Sequence, residues 1–216
     1  MKTNEDLQRD VLDELAWDPA VDAADIGVIV NDGVVTLTGH LSSYAEKHAA
    51  ERAVQRVQGV KAVAVEIDVR LSASSKRTDT DIARAAESAL LWHTAVAADR
   101  ITVMVESGWV TLSGELDWDY QRRSVEKAIR LLTGVTGVTN SIRLKPQAVP
   151  GDVQNRIRAA LTRQALREAD RIKIEIDGGV VTLRGTVHSN AERSAAHGSA
   201  WSAPGVTRVV DHLTLG

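Results

Sequence analysis

One seven-residue signature occurs three times in this chain and constrains its fold more than any other feature. Gly33-Val34-Val35-Thr36-Leu37-Thr38-Gly39 returns as Gly108-Trp109-Val110-Thr111-Leu112-Ser113-Gly114 and again as Gly179-Val180-Val181-Thr182-Leu183-Arg184-Gly185. A second signature follows each copy: Gly59-Val60 with Val63, Gly134-Val135 with Val138, and Gly205-Val206 with Val209. The two signatures lie 26 residues apart in every copy. Three segments in one register without a gap identify a tandem repeat.

Each repeat carries the same order of patterns. Leu7, Val11 and Leu15 share one face of a first helix, as do Ile82, Ala86 and Leu90, and Val153, Ile157 and Leu161. Thr3 with Asp6 and Thr78 with Asp81 predict hydroxyl caps at the first two helix starts. Period-two alternation then predicts a strand through Ile26, Val28 and Val30, through Ile101, Val103 and Val105, and through Ile172, Ile174 and Ile176. Asn31-Asp32-Gly33, Glu106-Ser107-Gly108 and Asp177-Gly178-Gly179 predict tight hairpin turns into the signature strand. A second helix is expected over 44–57, 120–132 and 191–203, ended by the glycine of the second signature. A third strand is expected over 63–69, 138–144 and 209–215. The fold class is α+β, three tandem αββαβ units, each with two helices on one face of a three-stranded mixed sheet. The hairpin pairs antiparallel, and the helix-linked second and third strands pair parallel. The expected units are residues 1–71, 79–144 and 152–216. A flexible serine-rich linker spans 72–78 and a proline-stiffened one spans 145–151.

These motifs and this order resemble the BON domain, the module of OsmY-like stress proteins, in three copies over nearly the whole chain. The resemblance implies a non-enzymatic protein acting in osmotic stress, at phospholipid surfaces, as a chaperone or, in some branches, as a potassium sensor. Familiar members are exported. This chain shows no leader-like start and no membrane-length apolar run, which points to a cytoplasmic protein.

The residues themselves exclude more than they assign. There is no cysteine, so thiolate metal sites, disulfides and cysteine nucleophiles are excluded. Nucleophile-elbow, P-loop, zincin and dinucleotide motifs are missing, so neither an enzyme nor a cofactor is expected. The six histidines fall at unrelated repeat positions, and Asp22, Asp25 and Asp32 lack the spacing of a calcium loop. With a net charge of −3 no nucleic-acid partner is expected.

Charge is uneven, however. The first unit holds seven basic against thirteen acidic residues, while residues 147–216 hold nine against seven. Arg156, Arg163 and Arg167 form a stripe on the first helix of unit three, with Arg158 and Arg171 nearby. Arg122, Arg123, Lys127 and Arg130 crowd the second helix of unit two. Basic amphipathic helices suit an anionic membrane surface; the plainer reading is a solvated face with ion pairs such as Glu126 with Arg130.

There are five Trp, two Tyr and no Phe, so each tryptophan asks for a reason. Trp17 and Trp92 occupy one aligned place, where unit three has Arg163, and suit either a domain contact or a membrane anchor. Trp109 is expected on the outer sheet face near Met104, at an interdomain seam or a binding patch. Trp201 aligns with polar Gln55 and Arg130 and is the expected exposed aromatic. Trp118 sits where it can staple a helix start. Three readings remain open: an anionic-lipid binding module using the basic helices with Trp92, Trp109 or Trp201; a protein-interaction or chaperone-like scaffold; and a monovalent-cation sensor, whose carbonyl ligands leave no side-chain signature.

Overall fold

A computed structural model describes residues 2–92, 96, 98–146, 152–163 and 171–215. It contains three αββαβ repeats. The first is α1 (Asn4–Trp17), β1 (Ile26–Asn31), β2 (Val34–Leu41), α2 (Tyr44–Arg56) and β3 (Ala62–Val69). The second is α3 (Asp79–Leu91), β4 (Ile101–Glu106), β5 (Trp109–Leu116), α4 (Asp119–Arg130) and β6 (Gly137–Leu144). The third is α5 (Val153–Arg163), β7 (Lys173–Asp177), β8 (Val180–Val187), α6 (Asn190–Trp201) and β9 (Arg208–Leu215).

The helix starts follow from their caps. The Thr3 hydroxyl accepts from the Asp6 N–H at 3.1 Å and donates to the Asp6 carboxylate at 2.8 Å. Thr78 and Asp81 repeat the arrangement at α3. Ser43 caps α2 and Ser189 caps α6, each accepting from the N–H of a glutamate three residues on. Trp118 takes this cap position in the second repeat, half-buried, and the Gln121 side chain accepts from the Trp118 and Asp117 N–H groups. A side-chain amide thus stands in for the glutamate of the capping box.

Each sheet has its signature strand in the centre, in the orders β1-β2-β3, β4-β5-β6 and β7-β8-β9. The hairpins are antiparallel in one register, with Val28 opposite Leu37, Val103 opposite Leu112 and Ile174 opposite Leu183. β2 with β3 and β8 with β9 run parallel, as expected. The turns place Asp32 and Gly33, Ser107 and Gly108, and Gly178 and Gly179 at positive φ, the requirement of a primed two-residue turn. The last glycine of the signature has another role. At Gly39 a Cβ would stand 2.0 Å from the Asp25 carbonyl oxygen, so the chain entering β1 crosses where only glycine fits.

Inward residues of strands and helices form the cores. In the first repeat Leu7, Val11 and Leu15 of α1 meet Val35 and Leu37 of β2 and Ala50, Ala53 and Val54 of α2. Val153, Ile157 and Leu161 meet Val181, Leu183, Ala196 and Ala200 in the third. The chain packs as two compact units, residues 1–114 with 124–142, and residues 115–123 with 143–216. The serine-rich stretch expected to be a flexible linker is a hydrogen-bonded turn. Ser75 and Lys76 donate their N–H groups to the Ser72 carbonyl, and the Arg77 guanidinium donates to Ser74 and Lys76. Most of the second linker, 147–151, lies outside the described residues.

Candidate functional site

The two basic helices differ once their partners are placed. On α4, Arg122 donates to Asp119 Oδ1 at 2.5 Å. Arg123 Nε lies 2.8 Å from Asp119 Oδ2, within ion-pair distance, but its N–H is not aimed to hydrogen-bond that oxygen. Asp119 is itself buried. Arg130 pairs with Glu126 at 2.8 Å, the i,i+4 pair expected from spacing, and its side chain is only 14% exposed. Of the four basic residues proposed there, only Lys127 is exposed and unpaired among the described residues. Asp119 and Glu126 therefore offset half of the basic charge of α4 within the helix, with Arg122 and Arg123 sharing one carboxylate.

On α5 the opposite holds. Its sequence, VQNRIRAALTR, contains no acidic residue. Val153, Ile157 and Leu161 turn inward, which leaves Arg156, Arg158 and Arg163 exposed, without an acidic partner among the described residues. Gln154 anchors the helix, donating from Nε2 to the Ile174 carbonyl at 2.6 Å. Arg167 lies outside the described residues.

The tryptophans separate into three environments. Trp17 and Trp92 are 83% and 86% exposed. Trp109 is on the outer sheet face as expected, opposite Glu106 and on the same face as exposed Met104. Its ring lies over Gly137, where a Cβ would come within 2.4 Å, and its indole N–H donates to Thr139 at 2.9 Å. It is half exposed, so its face is partly open rather than a closed seam. Trp201 is not the exposed aromatic that alignment with Gln55 and Arg130 suggests. It packs on the third core, the Arg122 guanidinium lies 4.7 Å from its ring centre, and the His197 ring meets it edge-on.

Other charged groups are structural. Asp18 is held below the ordinary carboxylate value, first by the Arg56 hydrogen bond and then by the Ala20 N–H, while Glu14 and Asp18 together raise Arg56. Burial works to raise the Asp211 carboxyl, but Arg193 at 2.7 Å and the Leu213 N–H outweigh it, leaving the value lowered. Burial raises the Tyr44 phenol against a hydrogen bond to the Val138 backbone. Among the described residues no three His, Asp or Glu side chains gather to hold a metal. No helix of the described residues is long and apolar enough to cross a membrane.

Sequence reasoning missed two features. A cavity of about 340 Å³ lies at the first repeat's glycine turn, between Lys2, Asn4, Gly33, Gly59 and Lys61. A larger groove of about 580 Å³ lies beside β4. Its signal was present in the repeat alignment, where residues 8, 83 and 154 read Gln, Ala and Gln.

The sequence pattern of the BON domain matches residues 3–70, 78–146 and 151–216. The chain belongs to the BON domain family. It carries three tandem BON domains, and each match takes in one αββαβ repeat. Among curated relatives, the osmotically-inducible protein Y of Escherichia coli is 28% identical over 144 residues, covering 62% of this chain and 71% of its own. A protein described from the gshII 5' region of Anaplasma centrale is 29% identical over 122 residues, 53% of this chain and 81% of its own. Among solved structures, the C-terminal domain of CdsD, a structural protein of the type III secretion system of Chlamydia trachomatis, aligns over all of both chains at 15% identity with a TM-score of 0.27. The PrgH periplasmic domain aligns over 95% of this chain and 99% of its own at 14% identity with a TM-score of 0.23.

Proposed function

We propose that this three-BON protein is a non-catalytic, stress-associated binding module that docks on anionic phospholipid surfaces through α5. The observation that carries this reading is the α5 face, with three exposed arginines and no acid on the helix. Such a helix gains from a negatively charged surface at each basic residue, whereas on α4 Asp119 and Glu126 hold the three arginines in ion pairs and offset half of the helix's basic charge. This moves the weight of the lipid reading from two basic helices to one. Membership of the BON family and the relation to an osmotically-inducible protein support the stress-associated role.

Exposure of Trp17 and Trp92 favours a second reading, a protein-interaction scaffold whose contacts are apolar. Salt separates the two. Titration with phosphatidylglycerol vesicles, with phosphatidylcholine vesicles as control, is expected to give binding only to the anionic vesicles. That binding falls as added salt shortens the screening length from about 10 Å at 0.1 M toward about 3 Å at 1 M. Equal binding to both vesicles, or none to either, sinks the lipid reading.

A further inference from the structure

The second repeat differs from its neighbours at one outer strand. In the first repeat the Gln8 side chain crosses from α1 and donates to the Val28 carbonyl of β1 at 2.7 Å. In the third, Gln154 reaches the Ile174 carbonyl of β7 in the same way, at 2.6 Å. Val28 and Ile174 therefore direct their carbonyls away from the hairpin partner, and the residue in the same register of β4 is Val103. The matching helix residue is Ala83, which has no group to donate. No side chain of the described residues bonds the Val103 carbonyl, and a groove of about 580 Å³ lies between α3 and β4, lined by Ala83, Leu90 and Val103. Val103 is correspondingly less buried than Val28 or Ile174.

β4 is the first strand of its sheet and, among the described residues, pairs only with β5, so its outer edge carries backbone groups without a strand partner there, beside an apolar trough. That combination is the receptor half of β-strand addition, in which a peptide supplies main-chain hydrogen bonds and alternate side chains fill pockets. The rim adds a sign. Glu87 and Asp99 are exposed and without partners among the described residues, against one basic rim residue, Arg84. We propose that the α3/β4 groove of the second BON domain binds an extended peptide segment of a partner protein. The peptide adds as a strand to β4, inserts apolar side chains at alternate positions and carries a basic residue facing Glu87 and Asp99. The first and third domains do not offer this edge, because Gln8 and Gln154 occupy it.

The test uses the full chain and a phage-displayed library of random ten-residue peptides, with the best selected sequence made synthetically as the probe. The expected peptide alternates apolar residues and carries Lys or Arg. Ala83→Gln, which copies the residue of the other two repeats, is expected to weaken its binding at least tenfold with an unchanged thermal melt. Glu87→Lys is expected to weaken it as well. Hydrogen exchange is expected to slow at the Val103 and Val105 amides of the wild-type chain when the peptide is added. A library that yields no binder, a peptide whose affinity survives Ala83→Gln, or protection elsewhere than β4 overturns the proposal.

Discussion

Gly178 in the turn before β8 and Gly185 within it are chemically identical but predict opposite results on substitution. Gly185 has φ +134°, and a Cβ there would stand 2.1 Å from the Arg171 carbonyl oxygen. Backbone in that region costs a residue with a side chain about 1–3 kcal/mol. The overlap adds to this, because an ordinary contact needs more than an ångström of further separation. The chain entering β7 must withdraw, loosening Ile172 and Ile174, both now almost fully buried. Losing half the burial of one such side chain is worth about 1 kcal/mol. Gly185→Ala should therefore remove about 3–5 kcal/mol, against a total of about 3–10 kcal/mol for a domain of this size. Gly178, at the hairpin turn, has φ +51° and nothing within 4 Å of a Cβ. Asp32 and Ser107 hold the equivalent positions at φ 49° and 52°. Gly178→Asp should stay within about 1 kcal/mol of wild type, since lower entropy of the unfolded chain offsets the cost of the left-handed conformation. The assay is hydrogen exchange of peptides from residues 172–187, with urea unfolding followed by circular dichroism. Protection should collapse in Gly185→Ala and persist in Gly178→Asp. Equal protection in the two variants would refute the close-approach account.

Replacing Arg156, Arg158 and Arg163 together by Gln should cost about 3 kcal/mol of anionic-vesicle binding at low salt, or about 150-fold, at about 1 kcal/mol per basic residue. Arg130→Gln should change it little, and co-sedimentation compares the two. Asp18 has a lowered folded value, so its stabilising share is complete above the unfolded carboxylate value near 3.9 and is lost as pH falls from there through the folded value. With partly exposed partners this amounts to less than about 1 kcal/mol, so Asp18→Asn should lower stability at neutral pH by no more than that and flatten the acid limb of the stability curve, as read by urea unfolding at a series of pH values. Trp92→Ser should shift stability by less than about 0.5 kcal/mol, while Trp201→Ala should cost about 2 kcal/mol or more, as read by thermal unfolding.

Local and periodic features were legible from the residues. The inward faces of α1, α3 and α5, the turns at Asp32, Ser107 and Gly178, and the threonine caps depend on neighbours a few places away, so spacing reveals them. Features set by distant groups were not legible. Trp201 aligns with polar residues, and nothing nearby in sequence shows that Arg122 lies against its ring. The serines of 72–75 have a linker's composition but bond to one another. The α4 pairs were half legible: Glu126 with Arg130 follows from i,i+4 spacing, whereas the burial of Asp119 beneath two arginines does not.

Three copies of one fold in one chain also supply an internal control for function. Positions that agree across repeats, such as Leu37, Leu112 and Leu183 in the strand centres, report packing, because each core needs the same side chain there. Positions that disagree are free of that requirement and can carry what each repeat does differently. Gln8 and Gln154 show that the outer strand of this fold can be closed by one amide, so Ala83 leaves open an edge that the scaffold does not require to be open. The acid-free α5 has the same standing beside α1, which carries Glu5, Asp6, Asp10, Asp13 and Glu14 around an equivalent inward face. A scaffold that tolerates both charge patterns does not dictate either, so the fold itself does not call for the arginines of α5.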